Sequence, residues 1–371
     1  MKIPFLDVKA AYIEAKEALD AAYQRVMDSG WYILGEEVEH FEAEFAQFSG
    51  ARYCIGVGNG LEALMLSLKA KGIGAGDEVI VPSNTYIASW LAVSQAEAKI
   101  VPVEPRLGTY NINPELIEAA ITPACKAIMP VHLYGQRAEM DAIVEIANRH
   151  DLFVIEDSAQ MQLRGYTPAK GIKGPSAAGY SFYPGKNLGA YGDAGCVLSD
   201  DEGFTETLRM LRNYGSRKKY FNEMKGHNSR LDPLQAAFLR AKLPYLEAWN
   251  LRRARIADYY REALANLPAL SLPMVAQGCP HGWHIFAVRH PRRDALQEWL
   301  TQKGVGTLIH YPVPPHLSKA YADLGYKTGD FPISEEIHRT VLSLPIGPHL
   351  SMDDAAYVAE AVRAFCLNAC D

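Results

Sequence analysis

The sequence predicts an α/β fold, in which a mostly parallel sheet forms a large domain and a smaller α/β unit follows it. Short apolar runs alternate with helical patterns through the first half of the chain, and this strand-helix repetition is typical of parallel sheets. The predicted strands there are 53–57, 78–81, 99–103, 127–131 and 152–156. At 371 residues the chain also exceeds the size at which one hydrophobic core usually stops growing, so two domains are expected.

The remaining elements of the large domain follow from local signals. An amphipathic helix is predicted over 10–28, before the first strand. Two further strands, 178–183 and 195–198, are predicted on either side of a glycine-rich segment. Asp232 and Pro233 predict the N-cap and first position of a long helix, which Pro244 should interrupt.

After residue 245 the pattern changes to a smaller α/β unit. It predicts a strand at 284–289, a helix at 293–304 and a strand at 306–311. A last helix should begin after Ser351, with Asp354 at the capping-box position. We therefore predict a large domain at 1–245 and a small domain at 246–371.

Composition narrows the class of protein. The net charge is −6 and basic residues form no long run, which argues against a nucleic-acid-binding protein. The six cysteines are too sparse for a disulfide scaffold and show no paired spacing for a zinc site, so no metal is expected. No apolar stretch reaches membrane-spanning length, and the amino terminus does not resemble a signal peptide. We expect a soluble, cytoplasmic protein without a membrane partner.

Lys186 is the most informative side chain, within SFYPGKNLG at 181–189. A lysine held in a dry pocket tends to lose its proton and becomes a nucleophile for carbonyl groups. Most lysines are solvated, so this segment alone leaves a surface lysine as the alternative.

An acidic residue follows a buried strand upstream of the lysine. The run LFVIED at 152–157 predicts a parallel strand that delivers Asp157 to the carboxyl edge of the sheet, where ligands of such folds bind. An acid at this place could keep the ring nitrogen of pyridoxal phosphate (PLP) protonated. Gln160 could donate a hydrogen bond to the phenolic oxygen of the same cofactor.

A phosphate site is predicted where a short strand meets a glycine-rich turn and a helix. The backbone amides of Gly60 and Leu61 would point from the helix N-terminus toward an anion. A plain strand-to-helix connection is the alternative. Tyr86 could stack on a planar cofactor ring, or it could be a core aromatic residue.

Together these residues resemble the DegT/StrS sugar aminotransferases, which are PLP-dependent enzymes of fold type I. The resemblance runs along essentially the whole chain. It rests on IPFLD at 3–7, SGWYILG at 29–35, the turn at 58–60, PVHLYGQ at 130–136 and GHNSRLD at 226–232, besides the lysine segment.

The resemblance implies PLP as the cofactor, with Lys186 as its Schiff-base residue and Asp157 beside the pyridine nitrogen. It places Gln160 on the phenolic oxygen and Tyr86 against the ring. It assigns the phosphate to Gly60, Leu61 and Ser181, together with Asn228 of the neighbouring subunit. A homodimer with shared active sites is therefore expected.

The sequence departs from the family at one position. Members often carry a histidine in AQAHGA where this chain has Gln162, and histidine is the side chain that changes protonation near neutral pH. Its absence leaves Lys186 to move the proton. We place Gln162 near the sugar, and the other candidates for contact with sugar or diphosphate are Tyr183, Lys219, His310, Tyr311 and His316.

The activity implied by the resemblance is amination of a nucleotide-linked keto sugar, with glutamate as amino donor. Similarity at 31–35 and 186–195 favours carbon 3 of a dTDP-3-keto-6-deoxyhexose. An enzyme for carbon 4, or for a UDP-linked 3-keto sugar, would share every cofactor residue. A PLP-dependent dehydratase is disfavoured by the presence of Lys186, and a non-catalytic PLP-binding regulator would lack reaction with an amino acid.

Overall fold

A seven-stranded sheet dominates the computed structural model, which describes residues 2–166 and 168–368. Its strands are β1 (Tyr53–Val57), β2 (Glu78–Pro82), β3 (Lys99–Val103), β4 (Cys125–Ile128), β5 (Phe153–Asp157), β6 (Ser176–Ser181) and β7 (Gly195–Ser199). Their order is β1-β7-β6-β5-β4-β2-β3. Neighbours from β3 through β6 pair in parallel, whereas β7 runs antiparallel to both β6 and β1. The carboxyl ends of β1, β5 and β6 therefore meet at one edge.

Helices cover both faces of this sheet. The helices of this part of the chain are α1 (Val8–Glu14), α2 (Lys16–Ser29), α3 (Glu36–Ser49), α4 (Gly60–Ala70), α5 (Ile87–Gln95), α6 (Pro114–Ile117), α7 (Met140–His150), α8 (Glu202–Leu211) and α9 (Pro233–Lys242). Successive side chains of a strand enter different cores, as Val79 and Ile80 do. A parallel sheet buried on both faces gives the near-continuous apolar runs seen in the sequence.

A second sheet follows, in which β10 (Phe286–Arg289) pairs antiparallel with β11 (Val341–Leu344). The accompanying helices are α10 (Leu246–Ala263), α11 (Arg293–Gln302), α12 (Pro332–Thr340) and α13 (Met352–Asn368). Apolar residues of α10, α11 and α13 pack on this small sheet in a core of their own. A short hairpin of β8 (Ser216–Lys218) and β9 (Phe221–Asn222) completes the strands described.

Most predicted elements are confirmed. The strands at 53–57 and 99–103 have the predicted bounds, and the others of the main sheet differ by one to three residues at an end. Pro244 lies in a 3-10 turn, Leu243–Tyr245, between α9 and α10. The Ser351 hydroxyl accepts from the Asp354 amide at 3.0 Å, as a capping residue should.

Two predicted elements are wrong. The helix over 10–28 is broken at Ala15 into α1 and α2, next to Glu14, whose carboxylate accepts from Trp249 and Arg252 of α10. The predicted strand at 306–311 forms no continuous ladder. Gly306 bonds to Ile3, and an isolated bridge joins Leu308 to Ser343.

Other expectations concern what the chain lacks. Among the described helices, none has the length and apolar character needed to cross a bilayer. Residues 2–166 and 168–368 contain no cluster of three or more His, Cys, Asp or Glu side chains suited to a metal ion. Cys54, Cys125, Cys196 and Cys279 are free thiols, and Cys370 lies outside the described residues.

Candidate active site

Strand ends and a helix N-terminus converge at the carboxyl edge of the main sheet. Gly195, where β7 begins, lies so close to the turn before α4 that a Cβ atom there would be 2.4 Å from the carbonyl carbon of Asn59. A Cβ atom on Gly60 would likewise be 2.7 Å from Cβ of Ser181, at the end of β6. These close approaches place the first turn of α4 directly against the end of β6.

The first turn of α4 presents backbone amides at this edge. Asn59 is the N-cap, and its side-chain oxygen accepts from the Glu62 amide at 2.9 Å. The amides of Gly60 and Leu61 belong to the first turn, where a helix offers no internal acceptor. The structure thus brings Gly60, Leu61 and Ser181 together, with the positive end of the helix dipole facing the open carboxyl edge of the sheet, hereafter the cleft.

Lys186 lies in a compact turn after β6. Its amide donates to the Tyr183 carbonyl at 2.8 Å, and the Ala190 amide closes the loop on Phe182 at 2.7 Å. Desolvation by burial lowers the pKa of the Lys186 ammonium to about 8, while the Coulomb attraction of Asp157 opposes that shift. The loop therefore holds an amine that is more readily deprotonated than a solvated one.

Asp157 ends β5 and is 6% exposed. Ser89 of α5 donates to one carboxylate oxygen at 2.7 Å, and the Ala159 amide donates to the other at 3.2 Å. Burial raises the pKa of the Asp157 carboxyl, and these two donors and the charge of Lys186 oppose the rise. The sequence analysis missed Ser89, although it lies one helical turn after Tyr86.

Gln160 is held in one orientation by its neighbours. Its side-chain oxygen accepts from the Tyr134 amide at 2.5 Å, so its NH2 group points the other way and donates to the Tyr311 hydroxyl at 3.2 Å. The Tyr311 ring packs on Tyr86 with 4.8 Å between ring centroids. Gln160, Tyr86 and Tyr311 therefore form one wall of the cleft.

Two histidines lie within electrostatic reach of Lys186. His310 packs against Phe5 and its Nδ1 lies 2.9 Å from the Ser343 hydroxyl. Burial, with a contribution from the Lys186 charge, lowers the pKa of His310 to about 4. His284, which the sequence analysis missed, has Nδ1 3.3 Å from the Asn187 side-chain oxygen, and burial lowers its pKa as well. Both rings are therefore neutral near pH 7.

Two predicted sugar contacts require correction. Gln162 is 1% exposed and its side chain bonds to backbone atoms of Ser181 and Leu188, so a sugar hydroxyl has no access to its side-chain amide. His316 is also 1% exposed, with Nε2 3.2 Å from Glu335 and its ring against Phe331. Both side chains are directed into packed regions and away from the cleft.

The other predicted contacts lie at the protein surface. Tyr183 is exposed beside Lys186, and Lys219 is exposed in the turn between β8 and β9, over the Tyr220 ring. Asn228 is exposed next to Ser229, whose hydroxyl accepts from the Gly58 amide at 3.2 Å. Their roles stay predictions, because a substrate or a second subunit would have to complete their contacts.

A separate polar cluster lies behind Asp157, on the opposite face of β5. The Glu156 carboxylate bonds to the Tyr166 hydroxyl, to His132 Nε2 at 2.8 Å and to the Ala169 amide at 2.5 Å. The Ala138 amide donates to Nδ1 of His132 at 3.1 Å. These contacts satisfy buried groups within the core, so Glu156 and His132 tie the chain after β5 to the sheet.

Comparison with known proteins agrees with this arrangement. Residues 13–363 match the DegT/DnrJ/EryC1/StrS aminotransferase family. The chain is 53% identical over 362 residues to dTDP-3-amino-3,4,6-trideoxy-alpha-D-glucose transaminase of Streptomyces venezuelae, covering 98% of this chain and 96% of that protein. It is 51% identical over 364 residues to the erythromycin biosynthesis sensory transduction protein EryC1 of Saccharopolyspora erythraea, covering 98% and 100%.

A solved structure shows the same fold. The crystal structure of S. venezuelae DesV in complex with a ketimine intermediate superposes with a TM-score of 0.95, at 52% identity and over 98% of both chains. This similarity and the family match extend over nearly the entire sequence. The chain therefore belongs to the DegT/DnrJ/EryC1/StrS aminotransferase family.

Proposed function

We propose that this protein is a PLP-dependent sugar aminotransferase that transfers an amino group, from glutamate, to carbon 3 of a dTDP-linked 3-keto-6-deoxyhexose in deoxyamino sugar biosynthesis. The observation that carries the proposal is that Lys186, with its pKa lowered to about 8, and the buried carboxyl of Asp157 lie within electrostatic influence of each other at the sheet edge.

Free thiols at Cys54, Cys125, Cys196 and Cys279 support a cytoplasmic location.

The residues at the sheet edge fit PLP by their chemistry. The contact of Gly60 with Ser181 leaves no room for a side chain, so backbone amides face the place where a phosphate would sit. Lys186 and Asp157 supply an amine and a carboxyl at the same edge, and the ring of Tyr86 borders the cleft. Bound PLP would supply a carbonyl group for reaction with amines and a ring that accepts an electron pair.

Each residue then has a distinct task. Lys186 Nζ would hold the cofactor, and its free amine would serve as the base that takes the proton from the donor's alpha carbon. The Asp157 carboxylate would lie beside the ring nitrogen and favour its protonated form, and Ser89 orients that carboxylate. Gln160, fixed by Tyr134 and Tyr311, presents its NH2 group to an oxygen acceptor.

Two points support this substrate. One is the name of a close relative, and the other is the distance between an anchored diphosphate and the reacting carbon of the sugar. The S. venezuelae relative that is 53% identical to this chain acts on a dTDP sugar with a 3-amino group. A diphosphate anchored at one place sets how far the sugar extends, so moving the ketone by one carbon misaligns the reacting atoms. Tyr311, His310 and Tyr183 are the proposed sugar contacts, and Lys219 the proposed diphosphate contact.

The test is single-turnover reaction of the aminated enzyme with nucleotide sugars. We expect a dTDP-3-keto-6-deoxyhexose to react on the order of 10²-fold faster than its 4-keto isomer, the size of effect that a displacement of about 1 Å produces. Stopped-flow absorption of the cofactor measures both rates, and a UDP-linked 3-keto sugar tests the nucleotide. Faster reaction of the 4-keto sugar would overturn the substrate assignment but leave an aminotransferase.

A non-catalytic regulator is the alternative, and the half-reaction with glutamate distinguishes it from an enzyme. One relative is named a sensory transduction protein, at 51% identity. A regulator could bind PLP at the same residues, but it should show no half-reaction with glutamate. Absence of that half-reaction in protein that retains cofactor would overturn the proposed function.

We also propose that each chain is divided at residue 245 into a large domain and a small domain. The protein should form a homodimer in which Asn228 of one subunit reaches the phosphate bound by the other. Several exposed large aromatic side chains are candidates for this interface, because apolar surface that is exposed on one subunit can be covered by a partner. They are Trp31, Tyr32, Tyr183, Tyr214, Tyr220 and Phe221.

Subunit mixing tests the shared site. We expect Lys186→Ala and Asn228→Ala proteins, each defective alone at limiting PLP, to regain up to about a quarter of wild-type activity after subunit exchange, because half of the dimers would be mixed and carry one intact site. If Asn228 serves its own subunit, mixing restores nothing. Mixing Lys186→Ala with Asp157→Asn is the control, since both changes lie in one subunit's site and should not complement.

A further inference from the structure

The Gln162 amide joins the two ends of the loop that carries Lys186. Its NH2 group donates to the Ser181 carbonyl at 2.7 Å and to the Leu188 carbonyl at 3.3 Å, and its oxygen accepts from the Leu188 amide at 2.5 Å. Ser181 ends β6 before the loop, and Leu188 lies two residues after Lys186. One side chain therefore satisfies three backbone groups on both sides of the lysine.

A second set of contacts extends this arrangement to α10. Asn250 donates from its side chain to the Gln162 carbonyl at 2.8 Å and accepts from Asn187 at 2.9 Å. The Asn187 side chain also donates to the Gly282 carbonyl at 2.7 Å. The residues on either side of the loop are thus held to the sheet, to α10 and to the segment before β10.

We infer that Gln162 is a positioning residue for Lys186, which fixes the lysine loop through its amide and does so independently of pH. The inference rests on the proposed function, because it assigns Gln162 a task in the reaction of Lys186. It replaces the predicted sugar contact, which burial of the amide excludes. Reaction geometry is sensitive to displacements of about 1 Å, so a loop fixed at both ends has a direct effect on rate.

The chemistry of an amide suits this task better than that of a titratable side chain. A glutamine offers two donors and an acceptor at every pH, whereas a neutral histidine offers one donor and one acceptor. Protonated histidine has no acceptor for the Leu188 amide, and an ionised carboxylate has no donor for the Ser181 carbonyl. A histidine or a glutamate at 162 would therefore hold the loop over only part of the pH range.

Ionisable side chains already surround this position, so the test must separate their titration from that of a new group. They include Asp157 and Arg164 on its own segment, Tyr180 on β6, Tyr183 and Lys186 on the lysine loop, Glu247 and Arg253 on α10, and His284, which contacts Asn187. All are present in the wild type. The pH dependence that matters is the difference between each variant and the wild-type protein.

Gln162→His and Gln162→Glu should change the pH profile in opposite directions. The histidine variant should lose glutamate half-reaction rate as pH falls through the histidine pKa, and the glutamate variant should lose it as pH rises through a carboxyl pKa that burial raises. On the falling side, or limb, of each pH profile, the rate should change by up to about 10-fold per pH unit. Gln162→Met, which lacks donor and acceptor, should be slower by roughly 10- to 100-fold without a new limb.

Measurements that do not depend on turnover complete the test. Hydrogen exchange of the Leu188 amide in cofactor-free protein should be at least about 10-fold faster in Gln162→Met than in wild type, because its acceptor is lost. Absorption titration of the PLP-loaded protein should show a shifted pKa of the linkage between Lys186 and the cofactor in Gln162→His and in Gln162→Glu. Gln136→Met is the matched control. Gln136 is also buried and bonds to the Thr109 carbonyl and the Ala276 amide. Its replacement by methionine should therefore lower thermal stability without changing Leu188 exchange or the absorption titration.

The outcomes distinguish the two proposals. If the wild type reacts with glutamate but the His and Glu variants keep its pH profile, and Leu188 exchange is unchanged in Gln162→Met, the positioning role is wrong and the proposed function stands. Loss of stability alone, equal to that of Gln136→Met, would also overturn it. If the wild type binds PLP but never reacts with an amino acid, the proposed function itself fails.

Discussion

Lys186→Ala is expected to abolish covalent retention of PLP and to slow the half-reaction with glutamate by at least about 10³-fold. Two losses combine in this variant. The amine that holds the cofactor is gone, and so is the base that takes the proton from the donor, a role worth about 10²–10⁴-fold in enzymes. Since the neighbouring His310 and His284 are bonded to Ser343 and Asn187, neither is placed to substitute for the lysine amine.

Borohydride reduction followed by peptide mapping checks the assignment. The reduced adduct should map to Lys186 in wild type and be absent in Lys186→Ala. Lys242 offers a matched control, because burial lowers the pKa of its amine to about 8 as well. The two lysines differ in that the Lys242 amine donates to the Gly189 carbonyl. Lys242→Met should retain the Lys186 adduct, and an adduct on any other lysine of the wild type would contradict the mechanism.

The same amine predicts how cofactor capture depends on pH. Its pKa is lowered, so the neutral, reactive fraction increases as pH rises through about 8. At pH 7 about one tenth of such an amine is neutral, against about one part in 2,500 for a solvated lysine. Capture of PLP by cofactor-free protein at Lys186 should therefore approach its plateau above pH 8, whereas labelling of surface lysines continues to rise toward pH 10.

The sequence predicted well the parts of this fold that depend on local pattern. Strands such as Tyr53–Val57 are short apolar runs with turn residues at both ends, and burial on both faces of a sheet demands that pattern. The positions of Lys186, Asp157 and Gly60 followed from the strand or helix that each one borders. Strand ends are fixed by topology, so residues distant in sequence were correctly brought to one edge.

The sequence could not show which way a polar side chain turns when several partners compete for it. Gln162 and His316 are polar residue types that are common in binding pockets. In this fold, however, the Gln162 side chain bonds to backbone groups that flank Lys186, and the His316 ring bonds to Glu335. The break at Ala15 involves neither glycine nor proline, and it lies next to the contacts of Glu14 with Trp249 and Arg252 of α10. These outcomes depend on long-range contacts, which have no signature in a local pattern.

Asp157→Asn is expected to slow the glutamate half-reaction on the order of 10²–10³-fold, the effect of removing a fixed electrostatic contact from a catalytic site. Asparagine keeps the shape of the side chain and can still bond to Ser89. It carries no charge, however, and cannot hold a proton on the pyridine nitrogen of bound cofactor. The loss should therefore appear in the proton-transfer rate measured by stopped-flow absorption, with little change in covalent retention at Lys186.

Two comparisons make that expectation specific to charge. Glu156→Gln, one residue away on the opposite face of β5, removes a carboxylate from the buried cluster with His132 and Tyr166. It should lower thermal stability and leave the proton-transfer rate near that of wild type. An N-methylated PLP analogue carries its positive charge permanently, so it should narrow the gap between Asp157→Asn and wild type. If the analogue does not narrow that gap, Asp157 acts by some means other than charge on the ring nitrogen. If Glu156→Gln slows the reaction as much as Asp157→Asn, the loss comes from distortion of β5, and the carboxyl at the sheet edge has no specific role.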